Sequence, residues 1–140
     1  MKTLNILNDV CKTFIKRNPI IIGNLDEQFM GVTVNGFCMY FLHKADFPFD
    51  IKALCGGSLF DVKRLIPKET TDAVLTCDLK SHTVGQIQRL TDGKIDVWIN
   101  TGFQKNFDKT CTYKISTSKT AVLVYENENL AGLIMPVNVK

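Results

Sequence analysis

The sequence predicts an α+β protein built mainly of antiparallel sheet with short helices, and three observations carry that expectation. Leu4, Leu7, Cys11, Phe14 and Ile15 recur at spacings of three and four, the period of an amphipathic helix. Two apolar runs, Phe29 to Val34 and Phe37 to Leu42, flank the pair Asn35-Gly36, a strong short-range hairpin signal. From Ile95 onward apolar and polar residues alternate in the period of a strand. A length of 140 residues suits one domain, and 45% apolar against 22% charged residues gives enough apolar surface for a core.

Taken in order, residues 1–18 form the N-terminal helix, ended by Asn18-Pro19 because proline disfavours helical geometry in the residue before it. A turn is expected at Gly23-Asn24, then the hairpin over residues 28–43, whose Asn-Gly centre tolerates the positive backbone angles of a type I′ turn. His43 to Gly57 reads as a connection punctuated by Pro48 and Gly56-Gly57. Ser58 is then placed to cap a short helix carrying Leu59, Val62, Leu65 and Ile66, stopped by Pro67. Thr71 to Leu79 and Val84 to Leu90 read as antiparallel strands joined around Lys80-Ser81-His82. Ile95 to Asn100 is a strand, Thr101 to Phe107 about two helical turns pairing Phe103 with Phe107, and Cys111 to Ser116, Thr120 to Tyr125 and Leu130 to Val137 three closing strands.

Several function classes recede on composition. The longest apolar run, Phe37 to Leu42, is far short of the roughly 20 residues of a membrane span, and Asn5, Asn8 and Asp9 interrupt the N-terminal apolar stretch where a signal peptide would need continuity. The reading is of a cytoplasmic protein without a membrane partner. Five cysteines, 11, 38, 55, 77 and 111, lie 17 to 34 residues apart with no CxxC pair, which points to reduced thiols rather than a zinc knuckle. The formal net charge of +3 is small, yet uneven: residues 1–20 hold Lys2, Lys12, Lys16 and Arg17 against Asp9, while residues 21–50 hold Asp26, Glu27, Asp46 and Asp50 against Lys44.

No residue set has the form of a catalytic site, so neither catalysis, nor a metal, nor a cofactor is expected. Gly56-Gly57-Ser58 lacks the lysine of a phosphate-binding loop. Cys55, just before that expected helix start, would gain nucleophilicity only if a helix dipole lowered its pKa. His43 and His82 stand beside neither a cysteine nor a serine elbow, Asp46 with Asp50 and Asp72 with Asp78 are explained by turns and polar strand faces, and Trp98 by the core or a subunit interface.

The order strand, helix and three strands over Ile95 to Val139, the phrase Val97-Trp98-Ile99-Asn100 running into an aromatic-bearing short helix, and the closing Leu133-Ile134-Met135-Pro136-Val137 together resemble the terminal repeat of bacterial DNA sliding clamps. Residues 58–90 read as a looser copy, so the resemblance implies one clamp-like domain of two halves, 58–90 and 94–139. It further implies helices that present Lys63, Arg64, Lys105 and Lys109 to the duplex DNA backbone, a salt-dependent contact of little sequence specificity. The closing strand would line an apolar docking groove for a protein partner through Leu133, Met135, Pro136 and Val137, whereas the plainer account makes it a core strand with Pro136 at an edge. The chain has room for one domain where a clamp subunit strings three, and it carries Asn138 where the family has arginine. A ring would therefore require a homo-oligomer or a different partner. The function expected is a non-enzymatic processivity factor or replication-protein partner. The alternative is a small accessory protein of a phage or mobile element that binds and inhibits another protein.

Overall fold

In the computed structural model, which describes residues 1–56 and 59–139, α1 spans Thr3–Ile15. Its backbone ends as expected before Pro19, with Arg17 in the left-handed region at φ 57° and the Asn18 N–H returning to the Thr13 carbonyl at 3.1 Å. The buried face differs from the expectation. Ile6 and Val10 are inside, whereas Leu4 and Ile15 are 71% and 73% exposed, and Cys11 and Phe14 are exposed too. At 100° per residue the apolar positions occupy about half of the helix circumference, and the sheet covers only part of it.

Among the described residues there are ten strands, β1 (Ile21–Asn24), β2 (Phe29–Thr33), β3 (Cys38–His43), β4 (Phe60–Asp61), β5 (Thr71–His82), β6 (Gly85–Thr91), β7 (Asp96–Asn100), β8 (Thr112–Ile115), β9 (Val122–Glu126) and β10 (Asn129–Ile134). They form one sheet in the order β4-β1-β2-β3-β10-β9-β8-β5-β6-β7, antiparallel throughout except for the short parallel β1–β4 pair. The mainly antiparallel α+β architecture is thus as expected. Gly23 and Asn24 belong to β1 rather than to a turn, and the Cβ that Gly23 lacks would collide with Val62.

At the centre of the sheet, both faces are buried. On one, Cys38, Tyr40, Leu42, Val122, Val124 and Ile134 pack with Ile6 and Val10 of α1 and with Leu90, Val97 and Ile99 of β6 and β7, which fold back over this inner face. On the outer face Met39, Phe41, Leu123 and Leu133 pack beneath Val62, Phe60 and Ile66. The chain leaves β4 at one edge and must cross the outer face to reach β5, so this segment is a strap over the second core. Two-sided burial explains why Phe37 to Leu42 is an unbroken apolar run rather than an alternating one. Each such side chain contributes about 1.5–3 kcal/mol of transfer free energy.

Four further local expectations are corrected. Asn35-Gly36 does not form a type I′ turn: only Gly36 has positive φ (79°), and Asn35 instead accepts the Phe37 and Cys38 N–H groups on its side chain at 2.7 and 2.9 Å. The β5–β6 turn lies at Thr83-Val84, after Lys80-Ser81-His82, which are strand. The helix expected from Ser58 has its cap outside the described residues; the chain from Phe60 forms β4 and a single 3₁₀ turn, Val62–Leu65, capped by the Asp61 carboxylate, which accepts the Lys63 N–H at 3.0 Å. Thr101 to Phe107 is likewise a 3₁₀ turn, Thr101–Phe103, followed by a second tight turn in which the Phe107 N–H donates to the Gln104 carbonyl at 3.1 Å. Gly102 weakens helix propensity there, and the Asn100 side chain caps the turn by accepting the Gly102 N–H at 2.9 Å. The connection after β3 contains a short helix that the sequence reading lacked, α2 (Ile51–Cys55), capped by Asp50 and closed by Gly56 at φ 73°.

Candidate functional site

Met135 continues the pairing of β10 with β3, its N–H donating to the Phe37 carbonyl at 2.7 Å. That extension places Met135 and Phe37 at the wall of a groove of about 260 Å³ on the outer face, completed by Ile21, Met39, Phe60 and Leu65 with Leu133 beneath. Phe37 is 61% exposed, Ile21 44% and Leu65 41%. The one polar side chain in the lining, Thr33, is already engaged: its hydroxyl accepts the Gly36 N–H at 3.0 Å and donates to Asn35 at 3.2 Å. A groove so lined offers a partner apolar contact and no hydrogen bond from a side chain.

Of the four residues expected in such a groove, the structure unites two. Leu133 contributes only the floor, being 2% exposed and part of the outer core, and Met135 forms the wall. Pro136 and Val137 lead away: the Val137 N–H donates to the Trp98 carbonyl at 2.8 Å, bridging the tail to β7 at the far edge of the sheet. Leu65, Phe60 and Ile21 were missed by the sequence reading, because they reach the groove through the strap and β1, neither of which has a period-two signature.

The four cations expected on DNA-facing helices fall into two separated pairs. Lys63 and Arg64 are on the 3₁₀ turn of the outer strap, and Lys63 shares a shallow depression with Asp26, Glu27, Lys44 and Asp61, a mixed-charge setting. Lys105 and Lys109 follow β7 on the inner side, around Phe103 and Phe107 of the inner core, and line a cleft of about 900 Å³ with Lys2. The N-terminus of α1 is fixed beside them, the Lys2 N–H donating to the Asn106 carbonyl at 2.8 Å and the terminal ammonium lying 2.7 Å from Asp108 and 3.2 Å from Glu126. Burial lowers that ammonium's pKa, but bonds to the two carboxylates outweigh it and the net shift is upward. Lys12, Lys16 and Arg17 are exposed on the same helix and its C-terminal turn. Of this inner-side group, Lys105 and Lys109 were expected from the resemblance, and the cations of α1 were visible only as the charge excess of residues 1–20.

The residues weighed for chemistry lie apart from one another, each with its own local contacts. Cys55 ends α2 instead of preceding a helix, and its thiol donates to the Ile51 carbonyl at 3.3 Å. Burial pushes the Cys38 thiol up to about 12 and raises Tyr40, whose hydroxyl accepts from Asn106 at 3.2 Å. His43 caps a 3₁₀ turn by accepting the Ala45 N–H at 3.1 Å, and His82 sits at the β5–β6 turn. Asp78 is held by Arg89 at 2.7 Å, with Asp96 on the same guanidinium at 3.1 Å. Trp98 has the Lys80 ammonium 4.9 Å above its ring. Among the described residues no group of three or more His, Cys, Asp or Glu side chains converges as a metal site, and no helix is long and apolar enough to cross a membrane.

Comparison with family models, with curated proteins and with solved structures gives no match in any of the three.

Proposed function

We propose that this chain is a non-enzymatic, clamp-like protein that acts through binding surfaces, as a processivity factor associated with DNA or a partner of replication proteins. The observation that carries the proposal is the apolar groove around Met135 and Phe37, which suits an apolar side chain from a partner's peptide segment. A leucine- or phenylalanine-sized anchor buried there contributes about 1.5–3 kcal/mol. On the inner side, Lys2, Lys12, Lys16, Lys105 and Lys109 supply charge for a phosphate backbone. One domain cannot encircle a duplex alone, so DNA association of this kind goes with self-association.

The test is mass in solution with and without a short duplex. The expected result is an oligomer whose DNA affinity falls with salt at a log–log slope of about −4. A monomer with no affinity at low salt overturns the DNA part.

The exposed apolar residues of α1, Leu4 and Ile15, favour a second reading, in which the chain is an accessory protein that binds and inhibits another protein. A surface facing DNA would carry charge at those positions. Under this reading a pull-down at physiological salt recovers one stable protein partner, and Leu4→Ser or Ile15→Ser, both exposed, loses it while the unfolding midpoint stays close to that of the parent. Recovery of nucleic acid alone counts against it.

A further inference from the structure

The sheet is split between β5 and β8. These strands pair over three residues only, Thr71 with Ile115, Asp72 with Lys114 and Ala73 with Tyr113. Beyond Ala73, β5 follows β6, with Val74 opposite Thr91, while β8 stays with β9, with Thr112 opposite Tyr125. Val74 and Leu75 on one wall and Thr112 on the other therefore have no neighbouring strand on the side that faces the opening, among the described residues. Edge amides and carbonyls of this kind are a template for an added strand. The opening is the cleft of about 900 Å³ that also holds Lys105 and Lys109, within the roughly 300–1,000 Å³ typical of ligand sites.

Its charge is one-sided. Lys2, Lys105 and Lys109 line it, all exposed, and none of them enters an ion pair among the described residues. The single acidic side chain in the lining, Asp108, is occupied by the terminal ammonium at 2.7 Å. Between the lysines the surface is mixed: Val74, 69% exposed, Leu75, Phe107 and Tyr113 supply apolar area beside Thr101, Gln104 and Thr112.

We propose that this cleft binds an extended acidic peptide segment of a partner protein, laid as a strand into the gap between β5 and β8. A strand turns alternate side chains to opposite faces, so one such segment can offer carboxylates to the lysines and apolar groups to exposed Val74 at once. Its main chain meets the free edge groups. A nucleic acid would satisfy the lysines but has neither the strand-forming backbone nor a use for an exposed valine. The inference shares Lys105 and Lys109 with the DNA surface proposed above, so peptide and duplex compete there, and it is independent of the Met135 groove.

The experiment uses the full chain and two labelled peptides, one alternating glutamate with valine and one alternating lysine with valine, read by fluorescence anisotropy at low salt and by amide hydrogen exchange. The glutamate peptide binds and the lysine peptide does not. Binding slows exchange at Val74, Leu75 and Thr112 and leaves Phe37 and Met39 unchanged. The double variant Lys105→Gln/Lys109→Gln weakens binding at least about tenfold, as does Val74→Asp, while Phe37→Ser has no effect; all are surface changes that leave the unfolding midpoint in place. The inference is overturned if the glutamate peptide does not bind, if both peptides bind equally, or if protection falls elsewhere. It is also overturned if a short duplex depends on the two lysines while the peptide neither binds nor competes. Because the Met135 groove is probed by different variants, failure here leaves that part of the functional proposal standing.

Discussion

Asp92 fixes the turn between β6 and β7 with one carboxylate: Oδ1 accepts the Lys94 and Ile95 N–H groups at 2.8 and 2.7 Å, and Oδ2 accepts the Thr71 hydroxyl at 2.6 Å, tying the turn to the start of β5. The Thr71 bond first, then the two backbone bonds, hold its pKa down at about 2. A carboxylate depressed in the folded state stabilises the fold above its unfolded pKa, near 3.8, and that contribution is lost as the pH falls through about 2. Asp92→Asn should therefore lower the urea midpoint at pH 6, and the gap from the parent should close between pH 4 and pH 2. Gly132 is a second position where one atom decides. A Cβ there would lie 2.5 Å from the Met39 carbonyl oxygen and 2.6 Å from the Phe107 ring. Gly132→Ala should cost about 1–3 kcal/mol through overpacking, measured by chemical unfolding.

At the scale of elements, the β9–β10 hairpin and the β2–β3 hairpin exchange the roles their sequences suggest. Asn127 and Glu128, at φ 50° and 67°, form the two-residue turn with both angles positive, while Asn35-Gly36 sits in a wider loop closed by side-chain caps. Glu128→Gly should raise stability by about 1 kcal/mol by relieving the left-handed conformation, seen as a higher urea midpoint at unchanged slope. The elements that were legible are those whose pattern arises locally: α1 by its period, the apolar runs of β2 and β3, and the alternation of β7 and β8. Those that were not depend on distant partners. β1 is a strand because β2 and β4 flank it, and the Gly23 that suggested a turn is required for the approach of Val62. The face of α1 could not be chosen from its sequence, since apolar residues fill more of the helix than the sheet can cover. The same holds for the groove: Met135 was legible from the closing apolar segment, but the other wall comes from Leu65 and Ile21, which only the path of the strap and the pairing of β1 with β2 bring near.

Across the whole molecule, the tail after β10 draws the sheet toward closure by the single bridge from Val137 to Trp98. Removing residues 136–140 should cost at least about 1 kcal/mol, the worth of one such hydrogen bond, and should change the emission of Trp98, the only tryptophan in the chain.

Near the middle of the sheet β3 pairs with β10, joining Cys38 to Ile134 and Tyr40 to Gly132. β3, buried along Cys38–Leu42 in the finished fold, therefore keeps one bare edge until β10, far later in the sequence, pairs with it. Both cores therefore close only when β10 fills its slot between β3 and β9, a pairing of long sequence separation with β3 and hence a slow one to form.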